Sequence, residues 1–401
     1  MTEDAGASSS LLAPLRLGPH TVPGIWRHIL PPGALALRPP EERRATCGDC
    51  PRVATAGYRP DYRCCTYFPR VPNFLLGLAL DTRLGAEALR EVRTTPFLLP
   101  EGFTPSPRQW ADFLEDVGLG EYGKSTRVLC PFLAPKSGLC QIYAFRNAAC
   151  STFFCHHDHG RRGERFWEAL QTLVTQVEMA LAQWTLSQVG FDFDAYIRRL
   201  NSLAPHIREV FDSRTGAWTE AARRVAWGDH HGRELEIYHA CAQLVRTRQD
   251  ELWQLANTVE LVEAARFENA ALQLVAPEHQ DQIEDDYDPE LEPIRPAELW
   301  RTVQRQHRNL WRLPGKAVKL APEVTLAATP ERDALILSYR GGRSAARTSE
   351  PISVREAEAL GLFRRKARLT PAFLQRVELA SGRNPAQFVA EWLGKQVLLA
   401  V

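Results

Sequence analysis

Apolar residues recur at spacings of three and four through residues 160–185, where Phe166, Leu170, Leu173, Val177 and Leu181 fall on one helical face. The same spacing continues through Ile237, Ala240, Cys241, Leu244, Val245, Leu252, Leu255 and Val259, which predicts a second long helix. Residues 191–203 (FDFDAYIRRLNSL) predict a shorter helix that stops before Pro205, with Asp192 and Asp194 placed to cap it. Antiparallel packing as a small bundle would bury these stripes. Nearer the C-terminus the helical spacing gives way to short apolar runs. Residues 324–327 and 334–339 flank a TPERD turn and predict a β-hairpin. Helices are expected to follow it. Ser353 and Glu356 have capping-box spacing, while Thr370-Pro371 and Asn384-Pro385 each set a capping side chain before a proline at the first helical position.

The first 155 residues show no such periodicity. Most of the 28 prolines fall there, whereas Pro205 stands alone across residues 156–276. Proline removes a backbone donor and clashes inside a helix, so this segment should be loops and short helices. Eight of the nine cysteines lie in the same stretch, and only Cys241 lies outside. The expected fold class is therefore mainly α: a loop-rich cysteine/proline-rich metal-binding domain, a helical bundle, and a small α+β C-terminal region. The boundaries read as 1–159 for the metal-binding domain, 160–277 for the helical domain, 278–292 for an acidic linker, and 293–401 for a basic C-terminal region with hairpin and helices.

Charge sharpens that division. The whole chain carries only +1, yet residues 278–292 hold eight acids and no Lys or Arg. From Ile294 onward there are 19 Lys and Arg against nine Asp and Glu. The overall neutrality conceals opposite local charges. The N-terminus opens with two acids and lacks the basic stretch of a secretory signal. The longest apolar run, residues 74–80, is far short of the roughly 20 residues a membrane helix needs. A cytoplasmic protein with no membrane segment is the expectation, and in a reducing compartment clustered cysteines point to metal or redox chemistry rather than disulfides.

The candidate ligands are Cys47, Cys50, Cys64, Cys65, Cys130, Cys140, Cys150 and Cys155. Cys47-Gly-Asp-Cys50 brings two thiols to one side of a turn, and sulfur suits both zinc and iron–sulfur centres. The string Cys130-Pro-Phe-Leu, Gly138-Leu-Cys140-Gln-Ile-Tyr143, Arg146, Cys150 and Cys155 resembles the YkgJ-type cysteine-cluster proteins, described as zinc- or iron-chelating. Cys64-Cys65 would be that family's adjacent pair, while Asn147 and Ser151 stand where it usually has proline and arginine. The stretch Cys65-Thr-Tyr-Phe-Pro-Arg70 is also similar to an element of flagellin lysine N-methylases, which have cysteines assigned to an iron–sulfur cluster. These resemblances imply a metalloprotein carrying an iron–sulfur cluster, [4Fe–4S] in type, or Zn²⁺ as the alternative, in a redox or structural role. A protein-modifying methyltransferase is a second possibility, although no glycine-rich nucleotide loop accompanies it.

Other groups change the picture less. His156, His157 and His159 follow Cys155 and could complete a coordination shell or open a polar helix end. Asp229-His230-His231 reads as a surface turn. Arg364-Arg365-Lys366-Ala-Arg368, on an expected helix, would suit nucleic-acid phosphates or an ordinary solvated face. A protein partner or substrate is the favoured partner class, with nucleic acid as a lesser one.

Overall fold

The computed structural model describes residues 11–42, 57–59, 61–62, 64–90, 94–275, 294–313, 317–328, 334–340 and 347–401. It is mainly helical with small sheets. Two compact units divide the chain. The described parts of residues 1–36, 50–152 and 171–300 form the first, and those of residues 37–49, 153–170 and 301–401 form the second.

In the first unit, β1 (Leu15–Leu17) and β2 (His20–Val22) pair as a hairpin. A second sheet joins β3 (Val71–Pro72), β4 (Leu98–Leu99) and β5 (Gly102–Phe103), with β5 central and antiparallel to both neighbours. Phe103 is opposite Val71 on one side and Leu98 on the other. Helix α1 (Asn73–Ala79) leaves β3 directly and is buried along its whole length. Helix α2 (Pro107–Gly118) starts at a capping box made by Ser106 and Gln109, with proline at its first position.

Helix α3 (Gly160–Gln188), assigned to the second unit up to Leu170 and to the first from Gln171, follows the apolar stripe through Phe166, Leu170, Leu173, Val177 and Leu181, all of them buried. Asp192 caps α4 (Phe193–Leu203) by accepting the Ala195 N–H at 2.8 Å, as the sequence predicts. Helices α5 (Glu220–Trp227), α6 (Glu234–Thr247) and α7 (Ala265–Leu272) complete the unit. The second long helix expected through Val259 is interrupted. Arg248 leaves helical geometry at φ −115°, ψ 21°, and a 3-10 turn, Gln249–Glu251, leads into the separate helix Leu252–Ala256. Within that turn the Arg248 guanidinium holds both oxygens of Glu251, at 3.1 and 2.6 Å. Leu252 and Ala256 are still buried, so the apolar spacing survives the break.

The second unit holds the expected hairpin and helices. Helix α8 (Pro296–Trp311) leads into it. Strand β6 (Val318–Leu320) pairs with the last strand of the chain. Strands β7 (Thr325–Ala328), β8 (Ala334–Arg340) and β9 (Arg347–Ser353) form an antiparallel meander, with Thr325 opposite Ser338 and Ser338 opposite Ser349. Helices α9 (Val354–Gly361), α10 (Pro371–Ser381) and α11 (Pro385–Gly394) carry the caps read from the sequence at Ser353, Thr370 and Asn384. Strand β10 (Leu398–Ala400) closes against β6. Leu337, Ile352, Leu360, Phe363, Phe388 and Trp392 centre the core.

One part of the expected fold is corrected. The dedicated cysteine/proline-rich metal-binding domain is not present as such, because among the described residues no group of three His, Cys, Asp or Glu is arranged to hold a metal ion. The proline-rich segment instead supplies short helices and strands to the core of the first unit. Cys47, Cys50 and the acidic stretch 278–292 lie outside the described residues. Among the described residues, no helix is long and apolar enough to cross a membrane.

Candidate functional site, a charged cleft in the first unit

The six described candidate ligands divide between the units: Cys64, Cys65, Cys130, Cys140 and Cys150 belong to the first, and Cys155 to the second. The Cys130 N–H donates to the Cys65 carbonyl at 2.7 Å, Cys140 bridges to Leu133, and Cys150 sits on the short helix Ala148–Thr152. Cys130 is near enough to Cys65, Cys150 and Cys140 to feel their charge. Nearness is not coordination, however. No disulfide joins the described cysteines, and no metal-holding arrangement occurs among the described residues. Burial first, and neighbouring thiols second, push Cys130 and Cys150 well above the ordinary thiol range, and burial also raises Cys140. Such thiols stay protonated at neutral pH and pack as small apolar groups, as does Cys241, pushed up to about 12 by burial. The iron–sulfur or zinc centre, and the metalloprotein function built on it, are thereby corrected.

The histidines are held by carboxylates and rings of the second unit. His156 faces Glu350 at 3.5 Å and His157 faces Glu42 at 3.5 Å, while His159 meets Trp311 edge-on. Arg364, Arg365, Lys366 and Arg368 follow α9 in a bend rather than lying on a helix. The reason is local: Phe363 is drawn into the core, and Ala367 exchanges two backbone hydrogen bonds with Val318.

The site that the first unit does build is a small cleft of about 80 Å³. Its floor is the β3–β5–β4 sheet, which presents Arg70 just before β3 and Glu101 in the turn between β4 and β5. That turn requires glycine. Gly102 has φ +136°, and a Cβ there would lie 2.0 Å from the Val71 carbonyl oxygen. Several side chains pin the strands from below. Trp227 Nε1 donates to the Leu98 carbonyl at 3.0 Å, and the Tyr238 hydroxyl donates to the Leu99 carbonyl. Asn73 Nδ2 donates to the carbonyls of Pro100 and Ala182, both at 3.1 Å, and the Asn73 N–H donates to the Glu101 carbonyl at 2.9 Å. Asn147 Nδ2 donates to the Arg70 carbonyl at 2.7 Å while its Oδ1 accepts the Cys150 N–H at 3.0 Å. Asn147 thus ties a cysteine-bearing helix to the cleft floor.

The carboxylate of Glu101 is held at both oxygens. Gln183 Nε2 donates to one at 3.1 Å, and the Tyr196 hydroxyl donates to the other at 3.4 Å. Gln183 is itself fixed by two hydrogen bonds to the Val262 backbone. Burial raises the Glu101 carboxyl above the ordinary range, and Glu268 adds to this, while the Arg70 cation opposes it. Arg70 acts through space: it is exposed, and among the described residues no carboxylate forms an ion pair with it. The remaining wall is apolar. Met179 of α3 and Leu200 of α4 face a stacked pair, Trp218 and Phe267, whose rings are 5.4 Å apart. Trp218 is buried, and its indole N–H has no acceptor among the described residues. Charged groups at a partly desolvated apolar cleft are the usual makings of a ligand site.

Of the residues lining the cleft, only Arg70, which closes the methylase-like element, was singled out from the sequence. One signal was available: in Pro96-Phe-Leu-Leu-Pro-Glu101-Gly-Phe103, a single acid sits between turn residues inside an apolar run. Set against family models, curated proteins and solved structures, the chain matches none of them. With no family model matching and no metal-holding group among the described residues, the YkgJ-type and methylase resemblances are corrected too.

Proposed function

We propose that this chain is a ligand-binding protein whose first unit takes a small, charged organic molecule in the cleft between Arg70 and Glu101. One observation carries the reading: an exposed guanidinium with no ion pair among the described residues shares a cleft with a half-buried carboxylate, against an aromatic and apolar wall. Drawing an acid partly out of water costs free energy unless the charge is used or neutralised, so its placement in a glycine-dependent turn supports a role in recognition. The apolar wall would supply affinity, and the charged groups orientation.

Ligand-observed NMR with a set of small polar metabolites tests this on the full chain. Thr104 lines the cleft, and Thr104→Trp should fill it. Compounds that bind the native protein should lose binding to this variant while its melting temperature stays within a few degrees of the native value. Binding that is unchanged by the substitution would place the ligand elsewhere and end the proposal.

A further inference from the structure

We propose that the second unit binds a medium-chain alkanoate, its hydrocarbon tail lying in an aliphatic groove beside β7 and its carboxylate on Arg364. This site belongs to a different unit from the cleft of Arg70 and Glu101 and stands independently of it. The groove has a volume of about 190 Å³. Leu320 at the end of β6 and Val324 are half-buried along it, and Leu326 of β7 is exposed, so water reaches an aliphatic surface. Leu337 of β8 and Leu360 of α9 lie buried beneath as its floor, continuous with the core of the unit. Gly361 ends α9 at the groove, and a Cβ placed there would meet nothing within 4 Å. Apart from Arg364, no side chain lining the groove carries a polar group.

Backbone bonds fix Arg364 at the rim. Its N–H donates to the Gly361 carbonyl at 3.2 Å, and the Leu320 N–H donates to the Phe363 carbonyl at 2.8 Å, which fastens the bend to β6. The Arg364 guanidinium is exposed and forms no ion pair among the described residues. Arg365, Lys366 and Arg368 follow in the same bend, all exposed, so this end of the groove is basic. Glu323, the acid next to Val324, is already held by Arg340 at 3.4 Å. The carbonyls closing α9 are used as well: those of Ala359, Leu360 and Gly361 accept the N–H groups of Leu362, Phe363 and Arg364. The lining side chains thus offer one cationic donor and no acceptor. That selects a tail without hydrogen-bonding groups and an anionic head, and a guanidinium matches a carboxylate through two parallel hydrogen bonds. An apolar cavity of roughly 150 Å³ holds a benzene ring, so the groove has room for about six to eight carbon atoms of one chain. The paired chains of a membrane lipid would not fit.

Calorimetry on the full chain tests this with octanoate, and with 1-octanol and octylammonium as neutral and cationic forms of the same tail. Octanoate should bind tenfold or more tightly than either. Affinity should also rise roughly fourfold per methylene from butanoate to octanoate, the gain expected when a methylene leaves water. Arg364→Gln should reduce octanoate to the level of octanol and leave octanol itself unchanged. Gly361→Leu should weaken octanoate and octanol alike by filling the groove, with the melting temperature within a few degrees of the native value because its Cβ enters open space. Thr104→Trp, which alters the first unit, should leave octanoate binding unchanged, and this keeps failure here distinct from failure of the charged-molecule reading of the cleft. Octanoate binding that ignores both Arg364→Gln and Gly361→Leu, or that Thr104→Trp abolishes, would overturn the proposal. So would equal binding of all three head groups, or no binding of octanoate at millimolar concentration. Cosedimentation with phosphatidylglycerol vesicles that Gly361→Leu prevents, without octanoate binding, would give the groove to a membrane surface and overturn it as well.

Discussion

Glu178 is an acid placed where it cannot easily ionise. Burial raises its carboxyl to about 8; one oxygen accepts the Ala148 N–H at 3.1 Å and the other has no partner among the described residues. In the unfolded chain the same group loses its proton near 4.5. Between those values the folded state binds the extra proton, so stability should fall as pH rises from about 4.5 to about 8. By pH 7 the loss amounts to about 3 kcal/mol, because holding that one proton costs roughly 1.36 kcal/mol for every tenfold drop in proton concentration. Glu178→Gln keeps the acceptor without the charge. Urea unfolding at pH 4 should show little difference, whereas at pH 7 the variant should be the more stable by up to that amount. Parallel pH profiles would mean that Glu178 is not buried as described. Residue by residue, the sequence was a good guide wherever a side chain acts on its neighbours: Asp192, Ser353, Thr370 and Asn384 all cap as read. Glu178 could not be read this way, because its environment comes from residues near 148 that are distant in sequence.

At the scale of elements, the β4–β5 turn decides where the cleft acid sits. Gly102→Ala would set a methyl against the Val71 carbonyl in a backbone conformation that only glycine adopts readily. A cost of about 2–4 kcal/mol follows from strain and steric overlap together. Because Glu101 is the adjacent residue, ligand binding should weaken as well, and calorimetry under conditions where the variant remains folded checks this. Retained affinity would show that the turn does not position the acid. Asn147→Ala is the complementary case. It removes the bonds to the Arg70 carbonyl and the Cys150 N–H, and should cost about 1–3 kcal/mol in denaturant unfolding. The helices were legible as elements because their apolar spacing repeats over many residues. Strands of two residues such as β3, β4 and β5 have no period to detect, and the break at Arg248 interrupts an apolar spacing that continues through it.

Across the whole molecule, two cores carry two charged centres of different character. In the second unit, Lys395 is buried between Glu350 at 3.1 Å and Glu391 at 3.2 Å, and Arg383 binds both Glu391 and Glu356. Burial would raise the Glu391 carboxyl, but Lys395, Arg383 and His159 together bring it down to about 2. Its contribution to stability is thus present above the ordinary value of 4.5 and is lost as pH falls toward 2. Lys395→Met would remove the ammonium that Glu350 and Glu391 share, leaving Glu391 its bond to Arg383, and should cost about 3–5 kcal/mol. Differential scanning calorimetry should assign that loss to one transition, with the transition of the first unit unmoved. The opposite local charges were visible from the sequence, but the cleft was not. Arg70, Glu101, Tyr196, Trp218 and Glu268 come from five separate stretches of chain, and only folding gathers them. The double pairing of Phe103 also limits how this chain can change in length. Phe103 is registered against Val71 and Leu98 at once, so deleting one residue between Leu99 and Gly102 cannot be absorbed by sliding a single strand. Related chains that keep the cleft should therefore vary in length elsewhere and hold the spacing from Leu98 to Phe103 fixed.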